Sequence, residues 1–158
     1  VYLANSSNIK VGVTRKTQVP TRWIDQGAHV AIAILETPNR YLAGIAEVAL
    51  KDHVADKTNW RKMLTNSIED VDLLRFRESL LPYIPKEAQE YILDNEKEWQ
   101  INFPVLQYPE KVTSVNLAKT TEHSGKLKGI KGQYLIFEDG KVMNLRSHEG
   151  FVLKIEVE

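Results

Sequence analysis

The chain has no cysteine, only two methionines, and no apolar run approaching the roughly 18 residues needed to span a bilayer. Without cysteine, these 158 residues hold no disulfide framework and no thiolate metal site. No Arg-rich or apolar leader is present, so a cytoplasmic address without a membrane partner is expected. The sequence opens at Val1 inside an apolar pattern, without Met, and is expected to be the ordered part of a longer protein. Internal repeats and low-complexity tracts are also missing. Four histidines, His29, His53, His123 and His148, are scattered without ligand spacing, so they point to no metal site. What is present is ordinary globular material: 42% apolar and 27% charged residues, enough for one large domain or two small ones.

The formal net charge of +0 conceals an asymmetry. Residues 1–65 carry nine Lys and Arg against five acids, a net of +4. Residues 66–100 carry four against nine, a net of −5, and residues 111–154 carry eight against four, a net of +4. Basic, acidic, basic is the pattern expected of two polyanion-facing units joined by a solvated helical connector. A chance spread of exposed charge would look similar, since the excesses are small.

The periodicities predict a mixed α/β (α+β) chain. Val1–Ala4 and Ile9–Thr14 read as two strands around the polar turn Asn5-Ser6-Ser7-Asn8. Thr21–Gln26 reads as a short helix stopped by Gly27, and His29–Glu36 as a strand covered on both faces. Leu42, Ala46, Leu50 and Val54 recur at helical spacing over 39–54, and Thr58–Leu64 starts another helix. Ser67 with an acid three residues on opens a helix through Leu81, and Pro85 precedes one over Glu87–Leu93. The period then changes to two, along Trp99, Ile101, Phe103 and Val105 and again along Phe151, Leu153, Ile155 and Val157. Asp139-Gly140 marks a hairpin, and Gly125, Gly129 and Gly132 suggest bends. The expected organisation is an α/β domain over 1–66, a helical connector over 67–97, and a small curled β-sheet or partial barrel over 98–158. Trp99, Phe103, Phe137, Leu153 and Ile155 are expected inside the last unit.

Two stretches carry a resemblance. Tyr2 stands on the first strand, Lys10-Val11-Gly12 ends the second, Arg22-Trp23 lies on the next helix, and Glu47 lies on a later one, followed by Leu50-Lys51. This order resembles the GIY-YIG nuclease superfamily, in a short, divergent branch. Separately, Gly129–Phe137, Asp139-Gly140 and Asn144-Leu145-Arg146 resemble the C-terminal half of an uncharacterised bacterial family, domain of unknown function 2797. That second resemblance covers nearly the whole chain. Members of that family often carry a cysteine-bearing, zinc-ribbon-like segment ahead of this part.

The nuclease resemblance implies a small three-stranded sheet flanked by helices, and an endonuclease-like activity. Tyr2 would activate water, Arg22 would bind the scissile phosphate, and Glu47 would hold one Mg²⁺. Lys10 replaces the family's second tyrosine, and the first motif lacks its leading glycine. A free phenol titrates near 10, so a tyrosine that activates water wants cations beside it, and Lys10, Arg15 and Arg22 are at hand. Each residue also has a plainer explanation: cross-strand packing for Tyr2, solvation for Arg22, and an i,i+4 pair with Lys51 for Glu47. In the C-terminal unit, Lys126, Lys128, Lys131 and Arg146 around Tyr134 suggest a basic sheet for single strands or RNA. Together with Arg15 they form the expected nucleic-acid-binding set. The functional expectation is a divergent, Mg²⁺-dependent phosphodiester-cleaving domain fused to a nucleic-acid-binding β-unit. The alternatives are a non-catalytic nucleic-acid-binding module and a protein-interaction scaffold that uses the acidic middle.

Overall fold

The structure, a computed structural model, describes residues 1–54, 58–94 and 97–158. It is mixed α+β with two separate four-stranded sheets. The first is antiparallel and built from β1 (Tyr2–Asn5), β2 (Ile9–Gly12), β3 (Val30–Ala33) and β4 (Trp99–Gln100), in the order β2-β1-β3-β4. Alternation along β1 sorts its two faces. Leu3 joins Ile9, Val11, Val30 and Ile32 on one face. Tyr2 and Ala4 join Ala31 on the other, beneath Trp23 of α1 (Thr21–Asp25). The Leu3 face is covered by α2 (Arg40–Lys51) and α4 (Leu73–Leu80), through Ala46, Leu50, Leu73 and Leu80. The side chain of Asn39 caps α2 by accepting from the Leu42 N–H at 3.0 Å.

The polar turn between β1 and β2 is not a solvated loop. Asn5, Ser6 and Ser7 are buried. Asn5 Nδ2 donates to the Glu69 carbonyl at 2.9 Å, and the Asn59 N–H donates to Ser7 Oγ at 3.2 Å. These bonds tie the turn to the segments flanking α3 (Trp60–Leu64) and replace part of the solvation the turn forgoes, while Asn5 Oδ1 and Ser6 Oγ have no protein partner among the described residues.

The fourth strand of the first sheet corrects the expected three. Trp99 and Gln100, assigned from their periodicity to the head of the C-terminal sheet, pair instead with Ala31 and Val30. The second sheet holds β5 (Thr113–Ser114), β6 (Leu127–Lys131), β7 (Tyr134–Phe137) and β8 (Lys141–Asn144) in the order β5-β8-β7-β6. It is an open sheet, not a closed barrel. Asp139-Gly140 makes the β7–β8 turn, with Gly140 at φ 78°. A register shift between Leu127 and Gly129 bends β6, and a Cβ on Gly129 would come within 2.7 Å of Val105.

The sheets meet through α3, whose Met63 and Leu64 pack on Ile136 and Val142, and through the β6–β7 turn against the end of α1. The expected strand over 151–157 is absent: Phe151 to Glu158 form no element and are exposed, Leu153 and Ile155 included. Their alternating pattern pairs with no strand of either sheet, so periodicity alone does not make a strand. Between the sheets, the helix expected from Ser67 starts only at Leu73, capped by Asp72, and the helix expected over Glu87–Leu93 is a 3-10 turn over Lys86–Tyr91. Residues 55–57 of the expected first domain and 95–96 of the expected connector lie outside the described residues. No helix among the described residues is long and apolar enough to cross a membrane.

Candidate functional site

Tyr2 and Gly12 are cross-strand partners, and the pairing explains the glycine. A Cβ on Gly12 would lie 2.7 Å from both Cζ and Oη of Tyr2, so only a residue without a side chain lets the phenol lie across β2. The phenol is buried, meets Trp23 edge to face with ring centroids 5.8 Å apart, and accepts a 2.7 Å hydrogen bond from Gln26 Nε2. Two buried polar atoms near it, Trp23 Nε1 and Gln26 Oε1, have no protein partner among the described residues.

At this end of the sheet an open cleft of about 920 Å³ is lined by Tyr2, Arg15, Lys16, Glu36, Arg40 and Glu47, with apolar walls. Lys16 reaches Glu36 at 2.7 Å, and Glu47 lies 3.7 Å from Lys51 on its own helix. Glu47 is partly buried, whereas Arg15 and Arg40 are exposed. Arg40 is a lining residue that the sequence reading missed. Its signal was available: Arg40, Ala43 and Glu47 are spaced three and four apart, one face of α2.

Lys10 and Arg22 are not among the cleft's lining residues. They stand together on the α1 face of the sheet, where Lys10 is the cross-strand partner of Ala4. Burial, and then the neighbouring Arg22, hold the Lys10 ammonium down to about 8. Among the described residues neither cation is paired with a carboxylate. Lys10 is two residues from Gly12 on the same face, so its stem starts about 7 Å along β2 from the residue under the phenol.

The expected basic face of the second sheet is smaller than the sequence suggested. Lys126 and Arg146 are exposed. Lys128 is bound to Glu138 at 2.7 Å. Tyr134 is stacked on Trp60, with centroids 6.0 Å apart and planes 7° from parallel, so that ring face is taken. Lys131 is only 1% exposed. Its ammonium donates to Asn66 Oδ1 at 3.1 Å and lies 5.1 Å and 5.6 Å from the ring centres of Tyr108 and Phe103. The register shift in β6 turns Ile130 outward and Lys131 inward, so this lysine cannot meet a phosphate backbone.

A match to the family described as "Protein of unknown function (DUF2797)" runs over residues 1–153. The chain belongs to this family. No curated protein and no solved structure shows significant similarity to it. The DUF2797 match spans both sheets, so the cleft and the second sheet are parts of one family unit.

The chemistry of a Mg²⁺ site can be tested on the residues present. Mg²⁺ takes one or two carboxylates and keeps several waters. Glu47 offers one carboxylate at an open cleft, and no group of three His, Asp or Glu among the described residues forms a cage. A hydrated Mg²⁺ on Glu47 fits this arrangement, whereas an ion held wholly by protein groups does not.

Proposed function

We propose that this DUF2797 chain binds nucleic acid and hydrolyses phosphodiesters with Mg²⁺ at the cleft between β1 and α2, in the manner of the GIY-YIG nucleases it resembles. The observation that carries the reading is the shared cleft at this end of the sheet: Tyr2, with its ring over Gly12 on the α1 face, and Glu47, from α2 on the Leu3 face, both line one opening rimmed by Arg15 and Arg40. Glu47 would hold the ion, which when bound supplies positive charge to a non-bridging phosphate oxygen. Arg15 and Arg40 hold the backbone on either side. Water adds to phosphorus as the ester P–O bond breaks, and the departing oxygen takes a proton from solvent. Tyr2 Oη, already accepting from Gln26, orients the water with its own hydrogen-bonding capacity. The proton that water gives up passes to solvent, to which this cleft is open.

A second reading, binding without cleavage, is favoured by one observation: Arg22 lies outside the cleft that holds Tyr2 and Glu47. Titrations at several salt concentrations, with and without Mg²⁺, separate the readings. Contacts from Arg15, Arg22, Arg40, Lys126 and Arg146 are expected to give a log–log salt slope of about −4 to −5 on duplex DNA. Salt-dependent binding with Mg²⁺-dependent cleavage supports the first reading, and binding without cleavage supports the second. An affinity indifferent to salt removes both and leaves a protein-interaction scaffold.

A further inference from the structure

Trp99 was expected inside a C-terminal core and is instead 47% exposed. Single exposed apolar side chains are common on protein surfaces, so what matters about this one is its surroundings. It sits on β4, at the outer edge of the first sheet, directly across from Ala31. Its ring meets Trp23 with centroids 6.0 Å apart and planes at 66°, and Trp23 in turn meets Tyr2 at 5.8 Å. An aromatic row therefore runs from the cleft to the surface. Trp23 is 1% exposed, so one side of the Trp99 indole rests on a fixed support while the rest faces solvent. The side chain is held in place before any ligand arrives, which lowers the ordering cost of binding.

The same sheet face carries charge. Cross-strand pairing sets Lys10, Ala4, Ala31 and Trp99 in one row, with Arg22 beside Lys10. Three strand spacings separate Lys10 from Trp99, about 14 Å. Unpaired cations at one end of a row and a supported, open indole at the other match the two components of an unpaired strand: phosphates and bare base faces. Duplex DNA offers phosphates alone, because its base faces are already stacked.

We infer that Trp99 is a stacking platform for an unpaired base, and that this face recognises single-stranded nucleic acid in preference to duplex. The inference rests on the nucleic-acid reading above and specifies its substrate class. Sequence preference is weak, because every base offers a face to an indole. The pyrimidine oligonucleotides oligo-dT and oligo-U share this chemistry, and the 2′-hydroxyl separates them.

The test is fluorescence anisotropy at low salt with short labelled oligo-dT, oligo-U and a blunt duplex of matched length. Wild type is expected to prefer the single strands. Trp99→Ala is expected to weaken single-strand binding between about 5-fold and 150-fold, leaving duplex binding within about 2-fold. Trp99→Phe is expected to recover most of the loss and serves as the folding control. Binding is expected to quench tryptophan emission in wild type, and much less in Trp99→Phe, since Trp23 is buried and Trp60 is stacked on Tyr134. Wild-type binding that is salt-dependent but unmoved by Trp99→Ala, or equally weakened on both strand types, overturns the platform and leaves the nucleic-acid reading in place. No binding to any of the three overturns both. A preference for oligo-dT or oligo-U that Trp99→Ala abolishes supports the platform and names the source.

Discussion

Replacing Glu47 by Gln is expected to abolish Mg²⁺-dependent hydrolysis while leaving nucleic-acid binding intact. On the proposed reading Glu47 is the one carboxylate that holds the ion. Outer-shell partners of a metal alone are worth about 10- to 100-fold, so removal of the ligand itself is expected to cost on the order of 10²-fold or more. The competing explanation is local: Glu47 lies 3.7 Å from Lys51, and an i,i+4 pair on a helix contributes only about 0.3–0.5 kcal/mol. The two explanations therefore diverge in kind. If the ion pair is the whole role, Glu47→Gln lowers the melting temperature slightly and leaves cleavage alone. Lys51→Met supplies the control, since it breaks the same pair and spares the carboxylate. Cleavage that survives Glu47→Gln at wild-type rate would end the nuclease reading.

Lys131→Met is expected to stabilise the protein at neutral pH, by on the order of 1–3 kcal/mol. An ammonium between two aromatic rings, with one amide oxygen as its hydrogen-bond partner, is poorly compensated for the water it gave up. Burial accordingly holds it down to about 8, against 10.5 for a free lysine. The sign follows from linkage. Below about pH 8 the amine is charged in both folded and unfolded chains, and the folded state carries the full desolvation cost. Between about 8 and 10.5 the unfolded chain binds more protons, so wild-type stability rises with pH relative to the variant. The advantage of Met is therefore largest below pH 8 and shrinks toward 10.5. Denaturant unfolding of both proteins at several pH values measures that gap. Lys131→Ala separates packing from charge, because it removes the charge but leaves a cavity, and is expected to gain less or to lose. A variant gap that does not change with pH would show that Lys131 is already neutral or better paired than its contacts indicate.

Much of the first sheet could be read directly. Alternation along residues 2–5 and 9–12, around a turn of Asn and Ser, specified the hairpin, and the helical spacing of Ala46 and Leu50 specified α2. Tyr2, Lys10, Arg22 and Glu47 were named from motif order and Arg15 as a nearby cation; Tyr2, Arg15 and Glu47 line one cleft, while Lys10 and Arg22 stand outside it. Three failures share one cause: a period of two says that a segment suits a sheet but not which sheet, or which face. Trp99 took its strand pattern to β3 and not to the sheet that follows it in sequence. Phe151 to Val157 kept the pattern and found no partner. One register shift at Leu127–Gly129 reversed the facing of Lys131, as a single-residue slip must. Arg40 was missed for another reason, since a helix-surface arginine becomes visible as a site residue only once the cleft below it is known.

The closing of the first sheet by β4 bears on how the chain is made. The open side of β3 is sealed only by residues that come much later. Ile92 bridges Leu35, the Leu93 N–H reaches the Ile34 carbonyl, Trp99 and Gln100 pair with Ala31 and Val30, and the Ile101 N–H reaches the His29 carbonyl. Some 60 residues separate β3 from this seal, which at a translation rate of 5–20 residues per second is about 3 to 12 s of synthesis. Throughout that interval a nascent chain with β1, β2 and β3 already paired shows bare backbone along an apolar strand, the kind of edge to which another chain can add. Ile92–Leu93 and Trp99–Ile101 thus act as a late-arriving guard strip. A stop codon anywhere between α2 and residue 91 would release a fragment with that edge permanently open, destined for aggregates and not for a smaller working domain.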